Sequence, residues 1–415
     1  MSKPKLPNQR KANLKHKARI EKYVQLIQQV YDRFASESVR VAEAFGFDQD
    51  RPFSFSSNPA AKRAYDILRS EFISSITGIV MSGTSEEWRQ SNLVQDLVAK
   101  KVLKAYSYTT KTGEERTRYF ESNPEALKAF QQRKENGMDL SQRVWNLSEQ
   151  YRSELEESIT VAIEPGTSAM ELAVDVKKYL KDPDKRFRRI KEKLADGTIK
   201  WHLSKPAKAY HPSRGVYRSS ARNAQRLART EINMAYRTAE QKRWEQFDFV
   251  VGYEVKTTRN GHHKEDICDT LAGKYPKTFV FTGWHPQCMC YCIPILKTEE
   301  EFWADDSEDS TESVNEVKDV PRGFKDWVKD NADRIEAAEK RGTLPYFIKD
   351  NPKAVEDALK GEFDGKNNNV DAERKENGTN NKNMFLLDNV SDLEKSLGIT
   401  AGEEMTFEQA NRVFS

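Results

Sequence analysis

Cysteine is nearly absent from this chain of 415 residues: there are four, all between Cys268 and Cys292. Cysteines confined to one short window argue against a disulfide framework, which needs them spread along the chain. Long apolar runs are missing too. No stretch of 18 apolar residues occurs, so no membrane-spanning helix and no membrane partner are expected. The basic N-terminus has no apolar segment before Tyr23, so it does not read as a secretory signal. Assembly in the cytoplasm is the default expectation. Apolar residues make up 37% and charged residues 32%, with a mean hydropathy of −0.83. That balance is polar for a single globular body and predicts long surface helices, linkers or both. The length allows two or three domains.

The net charge is only +3, but it is unevenly spread. Lys3, Lys5, Arg10, Lys11, Lys15, Lys17, Arg19 and Lys22 face a single acid, Glu21. Residues 1–18 read as a disordered basic arm, with Lys11, Lys15 and Lys17 as candidate DNA-phosphate contacts. A solubilising tail is the plainer reading. Residues 299–320 are the reverse: acidic, with Lys318 as the only base. They read as a flexible linker.

The region 19–139 reads as helical. Ile20, Val24, Ile27, Tyr31 and Phe34 recur at helical spacing, so a helix is predicted from about Arg19. Asn58-Pro59 is a cap followed by proline in the first turn and opens a helix to Val80. Thr84 with Glu87 three residues on forms a capping box for a third helix reaching Tyr106. Residues 108–118 read as a loop or small hairpin. Val144, Leu147, Tyr151, Leu155 and Ile159 mark a long helix from Leu140. Residues 181–200 read as a short charged helix ended by Asp196-Gly197. Nothing in the first 200 residues carries a chemical motif, and a helical docking body accounts for them.

From Ser219 the pattern is helical again, with Ala224, Leu227, Ala228, Glu231 and Ala235 on one side. Glu231 sits among small and apolar neighbours, where an unpaired carboxylate is costly. Neither Arg226 nor Arg229 stands at helical pairing distance from it, so its partner is expected on another element. Arg229 and Arg222 are then left to meet Asp266 or Asp269. Residues 249–255 read as a β-strand, with 279–281 and 291–296 as two more.

The cysteine window also holds histidines. His285 stands three residues before Cys288, and His262 and His263 stand just before Cys268. Soft ligands converging from two short loops suit a tetrahedral metal site. Cys268, His285, Cys288, Cys290 and His263 are the candidate ligands, with structural zinc the candidate ion. Cys288, Cys290 and Cys292 alternate as in a strand, so they bind one ion together only through a bend. Two other readings stay open: a cross-link from Cys268 to a distal cysteine, and plain buried thiols. No nucleophile motif and no second carboxylate at a defining spacing accompany Glu231. His262-His263 with Asp266 or Asp269 leaves a metal-dependent nuclease as the alternative.

Three stretches together resemble the phage Mu protein F-like family of minor head, or head morphogenesis, proteins. They are Arg226-Leu227-Ala228-Arg229-Thr230-Glu231-Ile232-Asn233-Met234-Ala235-Tyr236, then Asp266-Ile267-Cys268-Asp269 with Leu271-Ala272-Gly273, then His285-Pro286-Gln287-Cys288-Met289-Cys290. The resemblance spans roughly residues 140 to 296, and Cys292 lies beyond its pattern. The residue patterns read as an α+β fold: an elongated, mainly helical N-terminal body, then a small α+β domain over 140–298 with its core at 216–296, which in the resembling family is the head morphogenesis domain. A small helical module over 321–364, a disordered linker over 365–383 and a short terminal segment over 384–415 follow. Arg226, Arg229, Thr230, Glu231 and Asp266 carry structural roles by the same likeness. It implies a non-enzymatic minor structural protein of a phage or prophage head. Portal protein, capsid components and packaged DNA are its implied partners. It assembles in the host cytoplasm and ends in the capsid interior. Members of this family often carry variable modules after the head domain, and residues 384–415 are too short to form an active one. A toxin-module carrier and a sequence-independent DNA-binding protein remain alternatives.

Overall fold

The computed structural model describes residues 4–46, 52–110, 112–162, 169–181, 189–194, 196–203, 217, 219–258, 266–304 and 312–360. Among them the protein is mostly helical, with one small three-stranded open sheet and a separate two-stranded hairpin. Six helices come first: α1 (Gln9–Ala44), α2 (Pro59–Ala105), α3 (Gly113–Phe120), α4 (Pro124–Gln132), α5 (Leu140–Ala162) and α6 (Ala169–Lys181). The hairpin β1 (Arg189–Lys193) and β2 (Ile199–Leu203) precedes the central helix α7 (Ser220–Gln246). Then come β3 (Val250–Lys256), the single turn α8 (Ile267–Thr270), β4 (Gly273–Pro276), β5 (Tyr291–Leu296) and α9 (Glu299–Ala304). Four short helices follow: α10 (Arg322–Asp330), α11 (Ala332–Lys340), α12 (Tyr346–Lys349) and α13 (Pro352–Lys360).

Helix α7 is the axis of the molecule. Ser219 caps it, its hydroxyl accepting from the Arg222 amide at 3.4 Å. Ala224, Ala228, Ala235 and Ala239 are fully buried, and their small size lets neighbouring backbones approach. Its first half lies in a core with α1, α2, α5 and α6, built on Tyr31, Phe34, Phe72, Tyr151 and Leu155. Its second half lies against the sheet, in a core that joins Trp244 and Phe247 to Tyr253, Tyr275 and Trp284. A helix buried on nearly every side belongs inside a protein. The same second core holds Val98, Val102 and Tyr106 of the α2 end and Phe324, Trp327 and Phe347 from residues beyond 320. Boundaries at 139 and 298 therefore do not separate one core from the next.

The sheet order is β4-β3-β5, antiparallel throughout. Tyr253 faces Tyr275 on one side and Pro294 on the other. Gly252 allows close approach over this strand, because a Cβ there would stand 2.7 Å from a Val317 methyl.

Several expectations differ from the structure, each for a physical reason. Helix α1 begins at Gln9 instead of near Arg19, because Asn8 caps it through the Lys11 amide at 2.9 Å. Residues 9–17 are thus helical, with Asn13 and His16 buried, where a disordered arm was expected. The break expected between Val80 and Ser85 is absent, and α2 is continuous. Thr84 donates back to the Met81 carbonyl at 2.8 Å, while Glu87 turns toward α1. Residues 113–120 form a helix where a loop or hairpin was expected. The charged segment before residue 200 is a hairpin instead of a helix. Gly197, at φ +84°, and the Asp196 side chain bonded to the Thr198 amide turn the chain there. Residues 279–281 are no strand, because side chains satisfy their backbone instead. Gln241 and Tyr253 bond the Phe279 carbonyl, and Asn351 bonds both backbone groups of Val280. In the expected acidic linker, residues 312–320 pack down: the Val317 amide bonds the Val251 carbonyl at 3.3 Å and Glu301 accepts from Ser313 at 2.7 Å. Residues 299–304 of that run form helix α9, while residues 305–311 and 365–415 lie outside the described residues.

Candidate metal centre

Cys268 is delivered by the turn α8. Asp266 caps that turn, accepting from the Cys268 amide at 2.8 Å, while the Asp269 side chain accepts from the Asp266 amide at 3.1 Å. This reciprocal capping box fixes the direction of the Cys268 side chain. Asp266 therefore positions the Cys268 thiol, while Arg229 turns to Glu21 and Gln287.

His285 and Cys288 come from a tight turn, closed by the Cys288 amide bonding the His285 carbonyl at 3.0 Å. Gln287 within it takes a left-handed backbone, φ +65°. A non-glycine residue there carries strain that surrounding contacts must hold. They do: the Gln287 amide donates to the Thr230 hydroxyl at 3.2 Å, and Arg229 donates to the Gln287 side chain at 3.2 Å. Arg229 also grips Glu21 of α1 with two bonds of 2.8 Å. Gly283, at φ +138°, brings the chain close, since a Cβ there would lie 3.1 Å from the Cys288 Cβ.

The donor atoms of Cys268, His285 and Cys288 all lie within 4.8 Å of one another. The Cys268 Sγ stands 3.1 Å from His285 Nε2 and 3.8 Å from the Cys288 Sγ. His285 Nδ1 lies 2.8 Å from the Pro286 carbonyl. A proton held there leaves the Nε2 lone pair facing the thiols, the arrangement usual for a ligating imidazole. Burial opposes a thiolate at Cys288, yet hydrogen bonds with Cys268 and Cys290 and the nearby His285 hold it well below the ordinary thiol range. Cys268 is pushed well above that range, first by its bond to Cys288 and then by Cys290 and burial. Cys290 adjoins Cys268 and Cys288, while the charged neighbours of buried Cys292 are Glu240 and Arg237. All four cysteines are free and buried. His263 lies outside the described residues.

Glu231 finds its partners on other elements: Arg133 at 2.7 Å and Arg143 at 2.8 Å. Arg226 contributes its carbonyl to the Thr230 hydroxyl at 2.8 Å. Lys11 and Lys15 are exposed on α1, whereas Lys17 is partly buried and donates to Thr258 at 2.6 Å. Sequence reasoning missed Gln287, Tyr346 and His16. Gln287 acts through a backbone angle that residue type does not announce. Tyr346 comes from a remote segment, and its hydroxyl lies 3.3 Å from the Cβ position of Gly283. Burial pushes its pKa well up, with the Cys288 and Cys268 charges adding to the effect. It therefore stays a proton donor.

Fold and cluster define a mostly helical protein with a small α+β subregion, in which two buried thiols and a half-buried imidazole stand close enough that they could hold a metal ion. No family model matches the chain, and neither a curated protein nor a solved structure matches it.

Proposed function

We propose that this chain is a non-enzymatic minor structural protein of a phage or prophage head, stapled by a structural zinc ion. In this reading it joins portal protein and the capsid interior during assembly in the host cytoplasm. It remains in the virion head, where it aids DNA packaging or delivery. The observation that supports it most is the convergence of the three stretches behind the family resemblance. Thr230 and Arg229 hold Gln287, and Cys268 meets His285 and Cys288. Residues far apart in sequence serve one staple, as a scaffold requires.

The donor set fits zinc. Two thiolates on a tetrahedral ion with bonds of about 2.3 Å stand about 3.8 Å apart, which is the Cys268–Cys288 separation. Cys290 is the fourth ligand in this reading. Four protein ligands close the site, leaving no position for the activated water that a metal nuclease needs.

Metal analysis and a nicking assay on the full chain test the staple. Stoichiometric zinc without DNA cleavage is expected, with zinc content lowered in Cys268→Ala. Cleavage lost on His263→Ala would overturn the scaffold reading in favour of a nuclease. Co-purification from assembling heads tests the partner: portal protein should accompany the chain, and retention of the capsid lattice with no portal contact would exclude that role.

A further inference from the structure

The described residues beyond 320 hold none of the candidate ligands, yet they pack against the chain that carries them. Phe347 packs edge-on against Trp284 at 5.5 Å, one residue before His285, and Trp327 packs on Phe347 at 5.3 Å. Asn351 bonds the Val280 amide at 2.7 Å and the Val280 carbonyl at 2.8 Å, as a neighbouring strand would. Its amide also reaches the Phe347 carbonyl at 2.9 Å, which ties α12 to the same clamp. The segment from Val280 to Cys288 is therefore held from one side by α12 and the start of α13. At Gly283 the absent side chain leaves one point 3.3 Å from the Tyr346 hydroxyl and 3.7 Å from the Cys288 Sγ.

We propose that residues 321–360 are the outer shell of the metal centre: Phe347 and Asn351 hold the chain that carries His285 and Cys288, and metal loading and docking of this module reinforce each other. The inference rests on the zinc reading above. Its physical basis is general. Groups outside the ligands that hold them in place are part of a metal site, and losing one costs about 10–100-fold in metal affinity. The coupling must also run in both directions, since a metal that favours the docked state is itself favoured by docking.

The test uses the full chain and zinc alone as the probe. Chelator competition gives zinc affinity for the unaltered protein and for Asn351→Asp, which keeps the side-chain size and removes the amide donor to the Val280 and Phe347 carbonyls. We expect zinc to be lost from Asn351→Asp at about tenfold lower chelator concentration, with the circular dichroism unchanged. Trypsin supplies the second measurement, because α10 and α11 offer Lys325, Lys329, Arg334 and Lys340. Cleavage there should speed up when the unaltered protein is stripped of zinc, and slow again on adding it back. Phe347→Leu, which removes the ring packed on Trp284, should weaken zinc binding as well. If the unaltered protein takes up no zinc, the metal reading falls and takes this coupling with it. If it binds zinc while Phe347→Leu and Asn351→Asp bind equally well and the tryptic sites ignore the metal, the coupling alone is wrong.

Discussion

His16 shows how one side chain decides what a segment does. It is fully buried, with Nδ1 2.6 Å from Glu87 and Nε2 3.1 Å from Asn233, and it stacks on Tyr236 at 4.1 Å. Arg19 adds bonds to Glu87 at 2.5 and 2.7 Å. Burial drives the His16 pKa below its ordinary 6.5, and Arg237 pushes the same way, against Glu87 and Asn233. Burial would raise Glu87, but the bonds from His16 and Arg19 hold it below 4.5. A histidine kept neutral in the fold takes up its proton more readily when unfolded. The unfolded state then binds more protons, and stability falls as pH drops below 6.5. The Glu87 contribution is present above 4.5 and is lost as pH falls through its lowered folded value. Urea midpoints between pH 8 and 5 check this. His16→Gln should flatten the decline between pH 6.5 and 5 while keeping the drop at lower pH. Identical slopes would remove His16 as the source.

At the scale of elements, the decisive contact is where α2 crosses α7. Gly83 sits mid-helix, a position that normally weakens a helix by about 0.5–1 kcal/mol relative to alanine. Its reason is space: a Cβ there would stand 2.5 Å from the Ile232 Cδ1 and 2.8 Å from its Cγ1. Gly83→Ala therefore sets better helix propensity against overpacking of about 1–3 kcal/mol, and net destabilisation is expected. Ile232→Val removes the nearer atom, so the double variant should be less destabilised than the two single changes added together. A strictly additive cycle by chemical denaturation would show that the two helices do not meet in this way. The same crossing explains what the sequence disclosed. The periodic stripe of α1, the Asn58-Pro59 start of α2, and the strands at 250–256 and 291–296 are local patterns and were legible. Glu87 was misread as half of a capping box because only packing shows that it faces His16. Phe279–Phe281 looked like a strand because nothing local shows that Gln241 and Asn351 take its hydrogen bonds. The Cys268, His285 and Cys288 cluster was legible from residue type, whereas the contacts of Gln287 and Asn351 around it were not, since a backbone angle and a remote side chain leave no local trace.

The whole molecule changes what the basic N-terminus can do. Asn13 donates to the Met289 carbonyl at 3.1 Å and accepts from Arg237, so this segment is fastened beside the cysteine strand. Deleting residues 1–17 would remove Asn13 and His16 from the core, and any loss of DNA binding would then report damage to the fold. Charge reversal on the surface is the cleaner probe. Lys11, Lys15 and Lys22 are exposed, and at 100° per residue they share one face of α1. A rigid row of cations suits a phosphate backbone, and each phosphate neutralised adds about 0.9 to the salt slope of binding on duplex DNA. Changing all three lysines to glutamate should weaken duplex binding and lower that slope by roughly three, with helix content unchanged. Lys17→Ala should leave the slope nearly untouched, because Lys17 is directed to Thr258 on the protein itself. Equal slopes for the triple variant and the unaltered chain would show that α1 does not meet DNA through this face. An effect at Lys17 as large as at the exposed lysines would mean that α1 leaves its seat beside the sheet when DNA binds.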